Sequence, residues 1–503
     1  MHLERASGIL LHPTSFPSRF GIGDLGRAAY EFIDFLERSG QKIWQILPLG
    51  PTGYEHSPYI MNFSTFAGNP LLISLDRLAE EGLLNSRELL PLPDNHNPQR
   101  VDFPRVIPHK GQYLKQAFDS FWESLQSQPN HRFEEFCQQK ASWLNDYALF
   151  MALLEQNDGK DWNQWEPAIA RREPQALQAK TEELHVQIIY HKFLQFKFFE
   201  QWSQLRRYAN NKGIKIIGDI SIYVCYNSAD VWFAPNNFQL HPETLNPAYI
   251  AGVPPDYFSA TGQLWGNPVY DWDELKRTNY AWWIERFRAT LEYVDLVRVD
   301  HFRGFEAYWR VPYGETSALN GEWVTAPGAE FFESLGQQLG SLPVLAEDLG
   351  IITPEVEALR DRFEFPGMKI LMFAFGEDSN HPYLPHNYTR NSIVYTGTHD
   401  NDTTVGWWQT MTPEIRQHVA GYLGYAFPEA IEDINWALIR LALSSIADLA
   451  IFPFQDLLGL DNRGRMNDPS TNAGNWRWRY ESSTLLTHPL CDRLRYLTQM
   501  YSR

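Results

Sequence analysis

The stretch 294-VDLVRVDHFRGF-305 starts as a buried strand and ends as something else. Val294, Leu296, Val297 and Val299 leave little polar surface in its first half, whereas Arg298, Asp300, His301 and Arg303 crowd its C-terminal end. Two guanidinium groups, a carboxylate and an imidazole are costly to bury together unless they pair with one another or meet a ligand. An apolar strand that turns ionic at its carboxyl end is the pattern of a parallel barrel strand that carries part of a site.

The same pattern recurs along the chain. Short apolar runs that end in polar residues are 8-GILLHP, 43-IWQILPLG, 214-IKIIGDI, 294-VDLVRVDH, 343-PVLAEDLG, 368-MKILMFAF, 392-SIVYTGTHD and 449-LAIFPFQDLLG. Helical patterns lie between several of them. One is 24-DLGRAAYEFIDFLERSG-40, with Asp24 read as its N-cap and Gly40 as its stop; another is 428-PEAIEDINWALIRLALSS-445. Strand candidates alternating with helices predict an α/β fold, a parallel (β/α)8 TIM barrel. A doubly wound sheet would give similar runs, but no GxxxxGK[ST] follows any of them and no GxGxxG directly adjoins one.

Two segments interrupt the alternation. Residues from about 77 to 195 are polar, Gln-rich and helical in pattern, and are expected to form an inserted helical subdomain. Residues from about 221 to 285, rich in Gly, Pro and aromatics, are expected to form a loop-rich insertion over the active site. The barrel itself spans the whole chain, 1–503, and its last strand candidate is followed only by a short helical tail.

Composition narrows the function. The formal net charge is −18, from 61 acidic and 43 basic residues, which argues against a nucleic-acid or anionic-membrane partner. Aromatic residues make up 15% of the chain, with 18 Trp. Most must fill the core, but some are expected to be flat platforms for ligands with apolar faces and polar rims, sugars among them. Cys137, Cys225 and Cys491 lie far apart with no CxxC pair, which points to a reducing, cytoplasmic setting without a disulfide or zinc framework. No signal peptide is visible, and the most apolar stretch, LIRLALSSIADLAIFPF, is broken by Arg440 and Asp448, so no membrane span is expected.

In a barrel, ligands bind at the C-terminal ends of the strands. Those ends carry Asp219, Asp300, Glu347 with Asp348, and His399 with Asp400. A single acid there is usually a helix cap, but acids at four strand ends exceed what capping explains. Three carboxylates suit glycoside chemistry, in which one attacks, one protonates the leaving oxygen and a third holds the substrate through an oxocarbenium-like transition state. Arg298 lies two residues before Asp300, on the same strand face, where its charge would keep Asp300 ionised. Glu347 would need the opposite environment to remain protonated. Neighbouring strands are roughly 4.8 Å apart, so Asp300 and Glu347 can approach the roughly 5–5.5 Å of a retaining pair, short of the 6.5–9.5 Å of an inverting one. His301 and His399 are expected to hydrogen-bond sugar hydroxyls. A metal at His399, Asp400 and Asp402 lacks any fixed-spacing motif such as HExxH, and a Ser elbow GxSxG is absent, which sets aside metal-dependent and esterase readings. A sugar-binding module that had lost catalysis would lack one of the acids.

RVDHFRGFEAYW, VLAEDLG and GTHDNDT resemble the catalytic-strand motifs of the 4-α-glucanotransferases, glycoside hydrolase family 77 in the α-amylase clan. The likeness runs from SGILLHPTSFPSRFGIGDLG through SPYIMNFSTFAGNP and PPDYFSATGQLWGNP to RMNDPSTNAGNWRWR. It implies a (β/α)8 barrel with inserted subdomains and no C-terminal β-sandwich. It also implies Asp300 as nucleophile, Glu347 as general acid/base and Asp400 as transition-state stabiliser, with no metal and no cofactor. Arg298, His301, His399 and Asp219 match active-site contacts of the family, and Tyr59, Trp265, Asn267 and Asn467 match glucan-contacting positions. The implied activity is transfer of an α-1,4-glucan segment to the 4-hydroxyl of an acceptor glucan or glucose by a retaining double displacement. The alternative is an α-glucan hydrolase of the same clan, which would use the same acids. Ser221, Asn227, Ala260 and Ser470 depart from the family pattern, and none of them is one of the three acids.

Overall fold

The computed structural model describes residues 3–53, 56–59, 62–93, 97–255, 260–376, 378–471 and 473–503. Residues 60–61 of SPYIMNFSTFAGNP and 256–259 of PPDYFSATGQLWGNP lie outside them.

Twelve strands are formed: β1 (Ala6–Leu10), β2 (Ile43–Gln45), β3 (Lys215–Ile220), β4 (Tyr249–Val253), β5 (Gln263–Pro268), β6 (Leu296–Val299), β7 (Ala307–Pro312), β8 (Glu322–Thr325), β9 (Val344–Ala346), β10 (Gly367–Ile370), β11 (Ser392–Tyr395) and β12 (Leu449–Pro453). Eight of them close a barrel in the order β1-β12-β11-β10-β9-β6-β3-β2, every pair parallel. Each barrel strand falls within one of the eight apolar runs. Burial on both faces makes this so: β6, β9, β11 and β12 are buried at every position, which leaves the near-continuous apolar signature of a parallel sheet.

The helix Arg27–Arg38 buries Ala29, Phe32, Ile33, Phe35 and Leu36, one stripe at helical spacing. Gly40 stops it with φ +78°, in the left-handed region. Its N-cap is Gly26 and not Asp24. The Asp24 carboxylate accepts the Gly26 N–H at 2.9 Å and lies 3.7 Å from the buried Lys110 ammonium, so a charge pair takes it away from the cap. Gly21, Gly23 and Gly26 spell GxGxxG ahead of this helix, but β1 ends well before them, at Leu10. A Cβ on Gly23 would meet the Pro13 carbonyl at 2.1 Å, so the loop is packed on the protein itself. The link from β10 to β11 contains only the 3-10 turns Leu371–Phe373 and Pro385–Asn387 and no α-helix among the described residues, a departure from strict alternation.

Helices Leu75–Glu80, Phe103–Ser127, His131–Gln139, Ala141–Gln156 and Pro174–Glu183 occupy the segment before the long helix His185–Asn211, which leads into β3. The region from 221 to 285 is more ordered than its Gly- and Pro-rich sequence predicts. β4 and β5 join β7 and β8, which lie beyond 285, in an antiparallel sheet of order β5-β4-β7-β8. A bulge between Ile250 and Gly252 breaks the period-2 pattern that would have announced these strands. No helix among the described residues is long and apolar enough to cross a membrane.

Candidate active site

Strand register assembles the site. β3 and β6 pair Asp219 with Arg298, so the two side chains stand side by side on one face. Arg298 Nη1 donates to both Asp219 oxygens, at 3.0 and 2.7 Å, and contacts Asp300 Oδ1 at 2.9 Å. β6 and β9 pair Val299 with Ala346, which places Asp300 and Glu347 at matching positions one residue further along neighbouring strands. The turn after β6 then tightens. His301 adopts φ +51°, and its N–H donates to Glu347 Oε2 at 2.6 Å, while the Leu349 N–H donates to Oε1 at 2.9 Å.

The adjacent acids Glu347 and Asp348 are sorted by strand alternation. Asp348 points away from the site, bonded to Arg360 at 2.5 Å and to the Met368 N–H at 2.7 Å, and is structural. Glu347 faces the carboxylates. Burial pushes its carboxyl up to about 8; the charge of Asp300 adds to the rise, while Arg298 and the two backbone N–H donors oppose it. Its side chain keeps some exposure to the cavity, so a bound glucan would deepen the desolvation. Burial also raises Asp219, to about 7, against the pull of Arg298 and of the Tyr59 hydroxyl, which donates at 2.8 Å. We regard Asp219 as the ionised partner of Arg298, because the guanidinium nitrogen spans both its oxygens.

The third acid stands on the far side. Asp400 accepts from Asn467 Nδ2 at 2.6 Å and lies 3.3 Å from His399 Nε2, and Arg465 holds its carbonyl at 2.8 Å. His399 is stacked on Tyr59, with centroids 5.0 Å apart and planes within 6°. Burial lowers the His399 pKa, as it does that of His301, which falls to about 4, so both imidazoles are neutral at pH 7 and can donate and accept. Trp265 meets His301 edge-on at 4.8 Å. Asn267 is buried, its Nδ2 donating to the Val224 carbonyl at 2.8 Å, where it fixes the loop that presents Trp265. Asp402 accepts the Thr403 N–H at 2.7 Å at the start of the helix Thr404–Thr410 and is a helix-end residue. No group of three or more metal-ligating side chains occurs among the described residues.

Three residues of the site escaped the sequence reading. Trp476 completes an aromatic corner, 5.8 Å from both Tyr59 and His399, and its φ of +63° is costly for so bulky a residue. Arg465 positions Asp400 through its backbone. His12 follows β1, buried beside His399, and carries the signal that marked the acids, a polar residue ending an apolar run. Nothing in the local sequence of Trp476 or Arg465 marks them, because they belong to the C-terminal loop and not to a strand.

Two carboxyl groups in opposed electrostatic settings on neighbouring strand ends of a parallel barrel, with aromatic walls, define a glycoside-processing site. Residues 11–485 match the family model described as 4-alpha-glucanotransferase, glycoside hydrolase family 77, and the chain belongs to that family. It is 58% identical over 502 residues to a 4-alpha-glucanotransferase of Synechocystis, covering 99% of this chain and 98% of that one. It is 49% identical to the 4-alpha-glucanotransferase of Thermus thermophilus, covering 95% of each. Among solved structures, the amylomaltase of Streptococcus agalactiae in complex with acarbose superposes with a TM-score of 0.95 at 39% identity, covering 99% of this chain and 100% of that one.

Proposed function

We propose that Asp300, Glu347 and Asp400 carry out 4-α-glucan transfer by a retaining double displacement. The observation that carries the assignment is the register of β6 and β9. It puts Asp300, bonded to a buried guanidinium, beside a Glu347 whose carboxyl is protonated at neutral pH. One group is a nucleophile and its neighbour an acid.

In the first step an Asp300 oxygen attacks C1 of the donor sugar. The C1–O bond to the outgoing chain breaks, and the Glu347 proton moves to that oxygen. Esterification removes the negative charge of Asp300, and with it one of the influences that raise Glu347. The carboxyl therefore becomes more acidic at the moment it must surrender its proton and serve as base. In the second step the 4-hydroxyl of an acceptor attacks C1, its proton passes to Glu347, and Asp300 leaves as a carboxylate. Asp400, aimed by Asn467 and Arg465, holds the reacting sugar and stabilises the positive charge at C1. The flat Tyr59–His399–Trp476 corner and the Trp265 edge bind the apolar faces of the glucose rings.

Water and a sugar hydroxyl compete for the same intermediate. Family membership and the identity to named transferases favour transfer over hydrolysis. Incubation with maltotriose tests the reading: a ladder of longer and shorter glucans is expected, and shorter products alone would replace transferase with hydrolase. Products retain the α configuration, which proton NMR of the first-formed anomeric signal checks. We place the reaction in the cytoplasm, on the support of three cysteines that are all unpaired.

A further inference from the structure

The turn after β6 reaches beyond the catalytic carboxylates. Arg303, three residues past Asp300, extends its guanidinium to 3.9 Å over the ring of Trp323 on β8, the edge strand of the small sheet. Arg303 Nη1 also donates to the carbonyl of Ile351, which lies on the loop that carries Glu347. Trp323 packs edge-on against its cross-strand partner Trp309 at 5.4 Å, and Trp309 is itself pinned by Nε1–H donation to the Ala318 carbonyl at 3.0 Å. The indole is thus fixed on one side by a cation and on another by a second indole, yet 40% of it is open to solvent. Beside it Ile351 is 57% exposed. A large side chain restrained this tightly but left in water is unusual, since an exposed Trp without a ligand gains nothing from a fixed orientation.

Its position relative to the chemistry says what would bind. Glu347 must face the glycosidic oxygen, so the leaving chain, and later the incoming acceptor, lies on the Glu347 side of the cleaved bond. Asp400 and the Tyr59–His399–Trp476 corner stand on the other side of the site, on the loops after β11 and β12. We propose that Trp323, braced by Arg303 and flanked by Ile351, is an outlying acceptor-side subsite that stacks a glucose ring remote from the bond being made, so that it sets the preference for long acceptors. The inference rests on the transferase reading and adds a specificity-determining residue to it.

The test is initial-rate transfer from amylose to glucose, maltose, maltotetraose and maltohexaose, with the full-length protein and its W323A and W323F variants. One lost stacking contact is expected to raise the acceptor KM for maltotetraose or maltohexaose about three- to tenfold. The KM for glucose and the kcat for all acceptors should stay unchanged, and W323F should recover most of the loss. An acceptor KM that W323A leaves unchanged at every length, or raises equally for glucose, overturns the subsite. Wild-type protein that elongates no acceptor would instead refute the transferase reading itself, so the two failures are distinguishable.

Discussion

The protonation state of Glu347 gives the most exposed prediction. Its carboxyl is raised from an ordinary 4.5 to about 8 by burial first and by the charge of Asp300 second. At pH 7 a carboxyl with that pKa is about nine-tenths protonated, whereas an unperturbed one would be protonated in only about three molecules per thousand. The environment therefore multiplies the fraction of competent acid about 300-fold. Because the protonated form does the work, the activity it supports is fully present below pH 8 and is lost as pH rises through that value. The kcat/KM for maltotriose, which reports the free enzyme, is expected to show a basic limb near pH 8 and to fall about tenfold for each further pH unit.

The same measurement on E347Q with α-glucosyl fluoride isolates the cause. This donor needs little protonation on departure, so glycosylation should partly recover, the basic limb should vanish, and the glycosyl-enzyme should accumulate for want of a base. A wild-type profile that stays flat to pH 10 would refute the argument from burial. A limb that persists unchanged in E347Q would assign the titration to another group. A variant equally inactive with both donors, trapping no intermediate, would show that Glu347 is not the acid/base.

D300N is expected to abolish turnover while malto-oligosaccharide binding, followed by tryptophan fluorescence, survives; substantial residual transfer would give Asp300 another role. R298M leaves the fully buried Asp219 without its cation, and stability should fall by about 3–5 kcal/mol, read from chemical unfolding; a loss under 1 kcal/mol would mean that Asp219 is neutral in the native protein. Arg503 binds the carbonyls of Ala6, Leu443, Ala442, Ser445 and Asp448, joining the chain's end to β1 and to the end of the helix Ile434–Ser444. R503M should cost about 2–4 kcal/mol, with kcat of the folded protein unchanged, and an equal fall in kcat at low temperature would tie this corner to the site.

What the sequence revealed and what it hid follow from burial. Barrel strands covered on both faces cannot carry polar residues except at the end that opens on the site, so the runs at 214, 294, 343 and 392 announce both their conformation and their chemistry. The small sheet β5-β4-β7-β8 obeys no such constraint. Its strands are partly exposed, interrupted by a bulge, and paired across the catalytic strand β6 in sequence, so no local window contains the information that forms them. Trp323 and Trp476 belong to that hidden class, since each acquires its meaning from residues far away in the chain.

The two acids of 346-AEDL-349 mark the limit most sharply. Alternation along a strand dictates that Glu347 and Asp348 point in opposite directions, but it does not say which one faces the cavity. Register decides. Val299 pairs with Ala346, so Glu347 takes the position beside Asp300, and Asp348 turns to Arg360. A slip of one residue between β6 and β9 would bring Asp348 beside Asp300, on a shorter side chain and away from the His301 and Leu349 N–H groups that hold Glu347. Register is enforced at a distance by the Asp219–Arg298 pair between β3 and β6, because a slipped strand would bury both charges alone. The ion pair that helps to hold Asp300 as a nucleophile therefore also fixes the strand that carries it, and chemistry and topology are selected by the same two side chains.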